Sequence, residues 1–316
     1  MKGQNEYGVQ FTPLRLGGRP KIVRRAQGRP RLPDFLIIGA CKAGTTTVWR
    51  YLQRHPRIFL LDSKEPDFFS RKERYDQGID WYKTLFAEAR PDQLCGEAST
   101  TYSRWPHLGD VPTRIARAAP TVKLIYMMRH PVDRTYSDYC QRMRMPVPRL
   151  TFEEALQRDR MFTDTSLYMM QIEKFLERFP RELLLPILLD DLSDEPRATL
   201  DTVQRFLGLD PIDLVGQEVV VLNRATEGAD DFVRRRLSKW IRLTPGVDAL
   251  LRLAPSSLKD RTLIFLTSSS FGRRVAKGYK PSLFLPETRQ RLLKLFEEPN
   301  IQLAEFLGRD LSHWNA

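Results

Sequence analysis

Lys42, Gly44 and the three consecutive threonines Thr45 to Thr47 follow directly on the apolar run Phe35 to Ile38, within the segment 34–50. A glycine lets the backbone turn tightly and approach a ligand, and the free amides of a helix start attract an anion, helped by the helix dipole. Lys42 adds a full positive charge, so the set suits phosphate or its isostere, sulfate. In the common nucleotide-triphosphate loop, G-x-x-x-x-G-K-[ST], the lysine follows the second glycine. Here Thr45 holds that position and the lysine stands two residues before Gly44, so the loop is of another kind.

A second anion-binding set lies in the segment 123–137, where a strand-like run ends in Arg129 and Pro131 precedes Ser137. Proline suits a first helical turn, where its missing N–H costs nothing. A guanidinium fork matches the oxygens of a phosphate better than an ammonium does. Glu65, Glu97 and His107 are side chains of the kind that can take up a proton. The other histidines are set aside: His55 precedes Pro56, His130 belongs to the R-H-P turn, and His313 is near the end of the sequence.

The order K-x-G-T-T, K-E-P-x-F-F (Lys64 to Phe69), R-H-P-x-x-R-x-x-S (Arg129 to Ser137) and K-G-x-x-P (Lys277 to Pro281) resembles that of sulfotransferases that use 3′-phosphoadenosine 5′-phosphosulfate, PAPS. The K-E-x-x-F-F segment and Gly78–Tyr82 are most similar to the glycan, heparan-sulfate-type, members and their bacterial relatives. The resemblance covers residues 34–210 and 277–314. It implies that Lys42, Ala43, Gly44, Thr45, Thr46 and Thr47 hold the 5′-phosphosulfate, with Lys42 stabilising the leaving oxygen. It implies that Arg129 and Ser137 take the 3′-phosphate, over which Lys277, Gly278 and Tyr279 close. That last loop is one residue shorter than the K-G-x-x-x-P pattern, and Tyr279 replaces an arginine often found there. Glu65 becomes the base, and Lys64, Glu97 and His107 become acceptor-side candidates, Lys64 being open to donor as well as acceptor anions and Glu97 equally readable as a structural carboxylate. The implied reaction moves a sulfuryl group from PAPS to a hydroxyl, with an amine as the lesser alternative, of a saccharide-containing acceptor, releasing PAP. No metal is implied, since Lys42 and the loop amides fill the electrostatic role.

These groups need elements to position them. A short apolar run without alternation, Phe35 to Ile38, fits a central parallel strand covered on both faces. Val48, Trp49, Tyr51 and Leu52 give the next helix an apolar face, and it should end before Pro56. Residues 151–180 carry helical stripes, and Leu183 to Leu189 reads as a strand interrupted by Pro186. An acidic loop, 190–196, then leads into a helix running to Leu207 and closed by Gly208. The tail, Leu285 to Trp314, reads as an amphipathic helical closure. Glu97 is expected just after a short strand, at the end of a sheet where open α/β folds bind ligands. The expected fold is α/β, a P-loop-type core with a central parallel sheet flanked by helices.

At 316 residues, 41% hydrophobic and 28% charged, the chain can bury one full domain. We expect a basic flexible arm over 1–33 and a single domain over 34–316 with a helical excursion at about 224–275. The net charge of +12 calls for anionic ligands or surfaces. Arg15, Arg19, Lys21, Arg24, Arg25, Arg29 and Arg31 load the arm, and a basic amphipathic stretch over 232–242 loads the excursion. Either offers peripheral contact with anionic surfaces, nucleic acid being the least expected of them. Cys41, Cys95 and Cys140 show neither disulfide nor zinc spacing. With no run of eighteen apolar residues and no apolar leader, a cytoplasmic home is expected. Two other classes remain open: a P-loop nucleotide kinase, and a non-catalytic protein that binds anionic polymers.

Overall fold

A computed structural model of the chain describes residues 29–61, 64–143, 150–216 and 284–316. Its centre is a five-stranded sheet: β1 (Phe35–Gly39), β2 (Ile58–Leu60), β3 (Leu94–Ala98), β4 (Lys123–Met128) and β5 (Leu184–Leu188). The spatial order is β2-β3-β1-β4-β5, and every pairing is parallel. Parallel strands buried on both faces read as continuous apolar runs. Accordingly all five residues of β1 are buried, as are five of the six in β4. Pro186 is tolerated because β5 is an edge strand, where a missing amide breaks no central ladder.

Helices cover the sheet and connect its strands. They are α1 (Thr45–Leu52), α2 (Lys72–Tyr75), α3 (Ile79–Thr84), α4 (Val111–Ala118), α5 (Pro131–Arg142), α6 (Phe152–Arg158), α7 (Met161–Asp164), α8 (Tyr168–Leu176), α9 (Leu189–Asp194), α10 (Pro196–Leu207) and α11 (Pro286–Leu307). The 151–180 stripe is thus three helices, the first opened by a Thr151–Glu154 capping box. The acidic stretch after β5, expected as a loop, is mostly the helix α9, and Gly208 closes α10 in the left-handed conformation. The tail helix α11 packs on α5 and α8. Its Leu292 and Phe296 join Val132, Tyr139, Phe152 and Phe162 in a second apolar cluster beside the main core.

β1 lies between β3 and β4, the strands that the chain reaches by crossing to opposite sides, so the loop after β1 emerges where ligands bind in open α/β sheets. At the other end of β1, Arg31 of the basic segment donates through Nε to Cys95 Sγ at 3.1 Å and through its terminal nitrogen to the Gln93 carbonyl. Leu32 packs against the core. The last residues before the domain are therefore attached to β3. Residues 1–28 of the arm, the 224–275 excursion and Lys277, Gly278 and Tyr279 lie outside the described residues. Among the described residues, no helix is long and apolar enough to cross a membrane.

Candidate active site

The loop from Ala40 to Gly44 carries β1 into α1. Lys42 takes a left-handed φ of 72°, and Gly44, at φ 89°, stands at the N-cap of α1 without any side-chain cap bond. A side chain at Gly44 would be strained by that φ, and its Cβ would lie 2.6 Å from Leu189 Cδ1, which would have to shift. An uncapped helix start of this kind keeps its amides for a ligand anion. Ala43 and Thr45 are buried, while Lys42, Thr46 and Thr47 are half-buried.

The Lys64 ammonium lies on this helix start. It donates to Thr45 Oγ1 and Thr46 Oγ1, each at 3.0 Å, and stands 3.7 Å from Glu65 Oε1. Burial lowers its pKa from the ordinary lysine value, against the raising effect of Glu65. Glu65 itself has φ 66°. Its amide donates to the Ala98 carbonyl at the end of β3, at 3.0 Å, and its Oε1 accepts from Thr100 Oγ1 at 3.2 Å. The structure therefore brings Glu65, Lys64 and the phosphate loop together across β3 and β1. Lys64, open in the sequence to either partner, rests on Thr45 and Thr46 of the helix start.

Two residues later the backbone repeats the left-handed turn at Asp67, φ 55°. Asp67 accepts from Thr101 Oγ1 at 2.6 Å and Arg71 Nε at 2.7 Å, and its amide donates to Ser99 Oγ at 3.0 Å. These bonds tie the Glu65 segment to the residues following β3. The segment before α2 is thus held at both of its unusual backbone positions.

Arg129 follows β4, and its backbone is clasped by Tyr168: the hydroxyl accepts from the Arg129 amide at 3.2 Å and donates to the Arg129 carbonyl at 2.6 Å. The guanidinium is partly exposed, 3.7 Å from Asp133. Ser137 is half-buried on α5, two turns along. The α5 helix is bound to the phosphate loop by Arg134, fully buried, which donates to the Cys41 carbonyl at 3.2 Å. Arg134, Arg104 and Arg142 surround the buried Asp138 at 3.5, 3.9 and 3.7 Å. Burial alone would raise the Asp138 pKa, but the three guanidinium groups hold it below the ordinary value. Cys41, buried beside this cluster, donates through Sγ to Asp138 Oδ1 at 3.9 Å.

The other two base candidates are placed elsewhere. Glu97 is inside β3 rather than after it, and is buried. It accepts hydroxyl bonds from Tyr102 at 2.6 Å, Ser99 at 2.8 Å and Tyr82 at 3.0 Å, while burial pushes its pKa up to about 7. That enclosure favours the structural of its two readings. His107 pairs through Nε2 with Asp164 Oδ2 at 2.9 Å, joining the turn after β3 to α7.

Arg104 went unremarked in the sequence, lying in no motif. Its guanidinium is largely buried, and burial works against its charge, but Asp138, Cys41 and Glu65 hold its pKa above the ordinary arginine value. Its Nε has no hydrogen-bond partner among the described residues. An isolated arginine after a strand carries no signal of such burial.

Comparison with known proteins agrees with this geometry. The chain is 32% identical over 206 residues to heparan sulfate glucosamine 3-O-sulfotransferase 6 of Mus musculus, covering 63% of this chain and 58% of that protein. It is 33% identical over 194 residues to heparan sulfate glucosamine 3-O-sulfotransferase 3A1 of Homo sapiens, covering 58% and 46% respectively. The chain thus spans about half the length of the curated relatives it matches. The crystal structure of a sulfotransferase from Alicyclobacillus acidocaldarius shares the fold, with a TM-score of 0.61 at 24% identity over 90% of this chain and 100% of that one. The pattern of the Sulfotransferase domain family matches residues 32–223, and the chain belongs to that family.

Proposed function

We propose that this protein moves a sulfuryl group from PAPS to a hydroxyl of a saccharide-containing acceptor, releasing PAP. The observation that carries the reading is the contact chain from Thr45 and Thr46 through the Lys64 ammonium to Glu65, which sets a carboxylate base beside a positively charged helix start. PAPS, as donor substrate, supplies the activated sulfuryl group. The uncapped start of α1 and the half-buried Lys42 fit its phosphosulfate, and Arg129 with Ser137 fits its 3′-phosphate. Lys277, Gly278 and Tyr279 belong to the same proposed donor site.

In this reading Glu65 takes the proton of the acceptor hydroxyl as its oxygen bonds to sulfur. Its position, fixed by Ala98 and Thr100, spares the ordering cost of finding the geometry anew. The bond from sulfur to the bridging oxygen breaks, its electron pair stays on the 5′-phosphate, and Lys42 with the loop amides balances that charge. No metal ion is required by this scheme. The curated relatives are 3-O-sulfotransferases by name, which supports a sugar hydroxyl over an amine.

Calorimetric titration with PAP, against 5′-AMP and against ATP with magnesium, tests the reading. PAP should bind tightest, and heparan sulfate should then be sulfated in the presence of PAPS. Preference for ATP with magnesium would turn the assignment to a kinase, and binding of heparan sulfate without PAP would turn it to a polymer-binding protein.

A further inference from the structure

Lys64 is more withdrawn than its surroundings require. Its side chain is 16% exposed, against 42% for Glu65, the one carboxylate paired with it among the described residues. Were the ion pair its purpose, the ammonium would sit closer to the carboxylate than to neutral groups. Instead it is 3.0 Å from two threonine hydroxyls and 3.7 Å from Glu65. A desolvated ammonium on two neutral oxygens is under-compensated. Lys42 lies close enough to act on it as a like charge, and burial holds its pKa down. Both hydroxyls belong to the residues that open α1, so the helix dipole adds further positive potential at the same place. Among the described residues the carboxylate paired with the Lys64 ammonium is Glu65, and it stands farther off than the two hydroxyls, so an anion at the loop could approach the ammonium more closely than its present carboxylate does.

We propose that Lys64 is a donor-binding residue, whose ammonium, seated on Thr45 and Thr46, takes the 5′ anionic group of the nucleotide directly. This inference rests on the proposed sulfotransferase function and refines its donor site. The K-E pair then has divided duties: Lys64 holds the donor at its 5′ end, and Glu65, the next residue, serves the acceptor. Placing the two on adjacent residues, with Glu65 in the left-handed region at φ 66°, sends their side chains from one short segment to both partners.

The test compares PAP with adenosine 3′-phosphate, which lacks the 5′ group, by calorimetry on the full chain. Wild type, Lys64→Gln and Lys64→Arg are measured, each checked for its melting temperature. A hydrogen bond to a charged group is worth about 1.5–3 kcal/mol. Lys64→Gln is therefore expected to weaken PAP by roughly 10- to 100-fold while leaving adenosine 3′-phosphate within about twofold. Lys64→Arg, retaining the charge, should keep PAP binding within roughly tenfold of wild type. Equal PAP affinity in wild type and Lys64→Gln would overturn the inference, as would a parallel loss of both nucleotides in variants that melt like wild type. A wild-type protein that binds no PAP would instead remove the proposed function itself.

Discussion

Glu65 and Glu97 are two carboxylates of similar sequence promise and opposite structural fate. Glu65 is partly exposed and held by two residues at the end of β3, whereas Glu97 is enclosed by three hydroxyls. Glu65→Gln is accordingly expected to lower kcat on the order of 10²-fold or more while sparing PAP affinity, read by steady-state sulfation and calorimetry. Lys42→Ala should remove turnover. Retention of the full rate by Glu65→Gln would transfer the base role elsewhere. Glu97, enclosed as it is, is expected to act on stability. Its folded pKa, about 7, is raised above the ordinary 4.5, so its contribution is present below pH 4.5 and is lost as pH rises through 7. The wild-type melting temperature should therefore fall over that window by more than that of Glu97→Gln, the difference corresponding to at most about 3 kcal/mol. Equal pH slopes in the two proteins would exclude this role. The sequence set Glu65 beside Lys64 and Glu97 between Gly96 and Ser99; it could not show which way β3 turns Glu97, because a one-residue shift along a strand exchanges interior for cleft.

β1, β4 and β5 were readable because parallel sheets need continuous apolar runs, and the motifs at the ends of β1 and β4 fell where the fold requires loops, whereas the three-residue β2 was too short to show. Less readable was what joins those loops. Arg134 appeared only as one letter of the R-x-P-x-x-R-x-x-S pattern, yet it is the bond between α5 and the Cys41 carbonyl and one of three guanidinium groups on Asp138. Periodicity marks the buried face of a helix but not a charge buried within it, whose partners come from residues far along the chain. Arg134→Met should cost about 3–5 kcal/mol, the usual loss on breaking a buried ion pair. It should also loosen PAP, since the phosphate loop loses its tie to α5. Thermal unfolding would measure the first effect, and a variant melting within a degree of wild type would show that Arg104 and Arg142 suffice for Asp138. At the other face of the loop, Gly44→Ala meets both the positive φ and Leu189. A loss of about 1–3 kcal/mol with weakened PAP binding is expected there.

Across the whole molecule the two substrates answer to different kinds of charge. In the proposed donor site the nucleotide would be met by a few partly buried groups, Lys42, Lys64 and Arg129. A polymeric acceptor would meet the surplus of +12 spread over the chain, much of it on Arg15, Arg19, Lys21, Arg24 and Arg25. Exposed charges more than about 10 Å apart are screened at 0.1 M salt, while partly buried ones are screened much less. Raising salt from about 50 to 200 mM should thus weaken heparan sulfate binding by an order of magnitude or more, in the manner of other polyanions. The effect on PAP should be several-fold smaller. Replacing the five arm residues with glutamine should reduce the salt slope for heparan sulfate and leave PAP affinity unaltered. Titrations of both ligands at three salt concentrations decide the matter: equal salt slopes for the two ligands would mean that acceptor recognition is as local as donor recognition, confined to groups around Glu65.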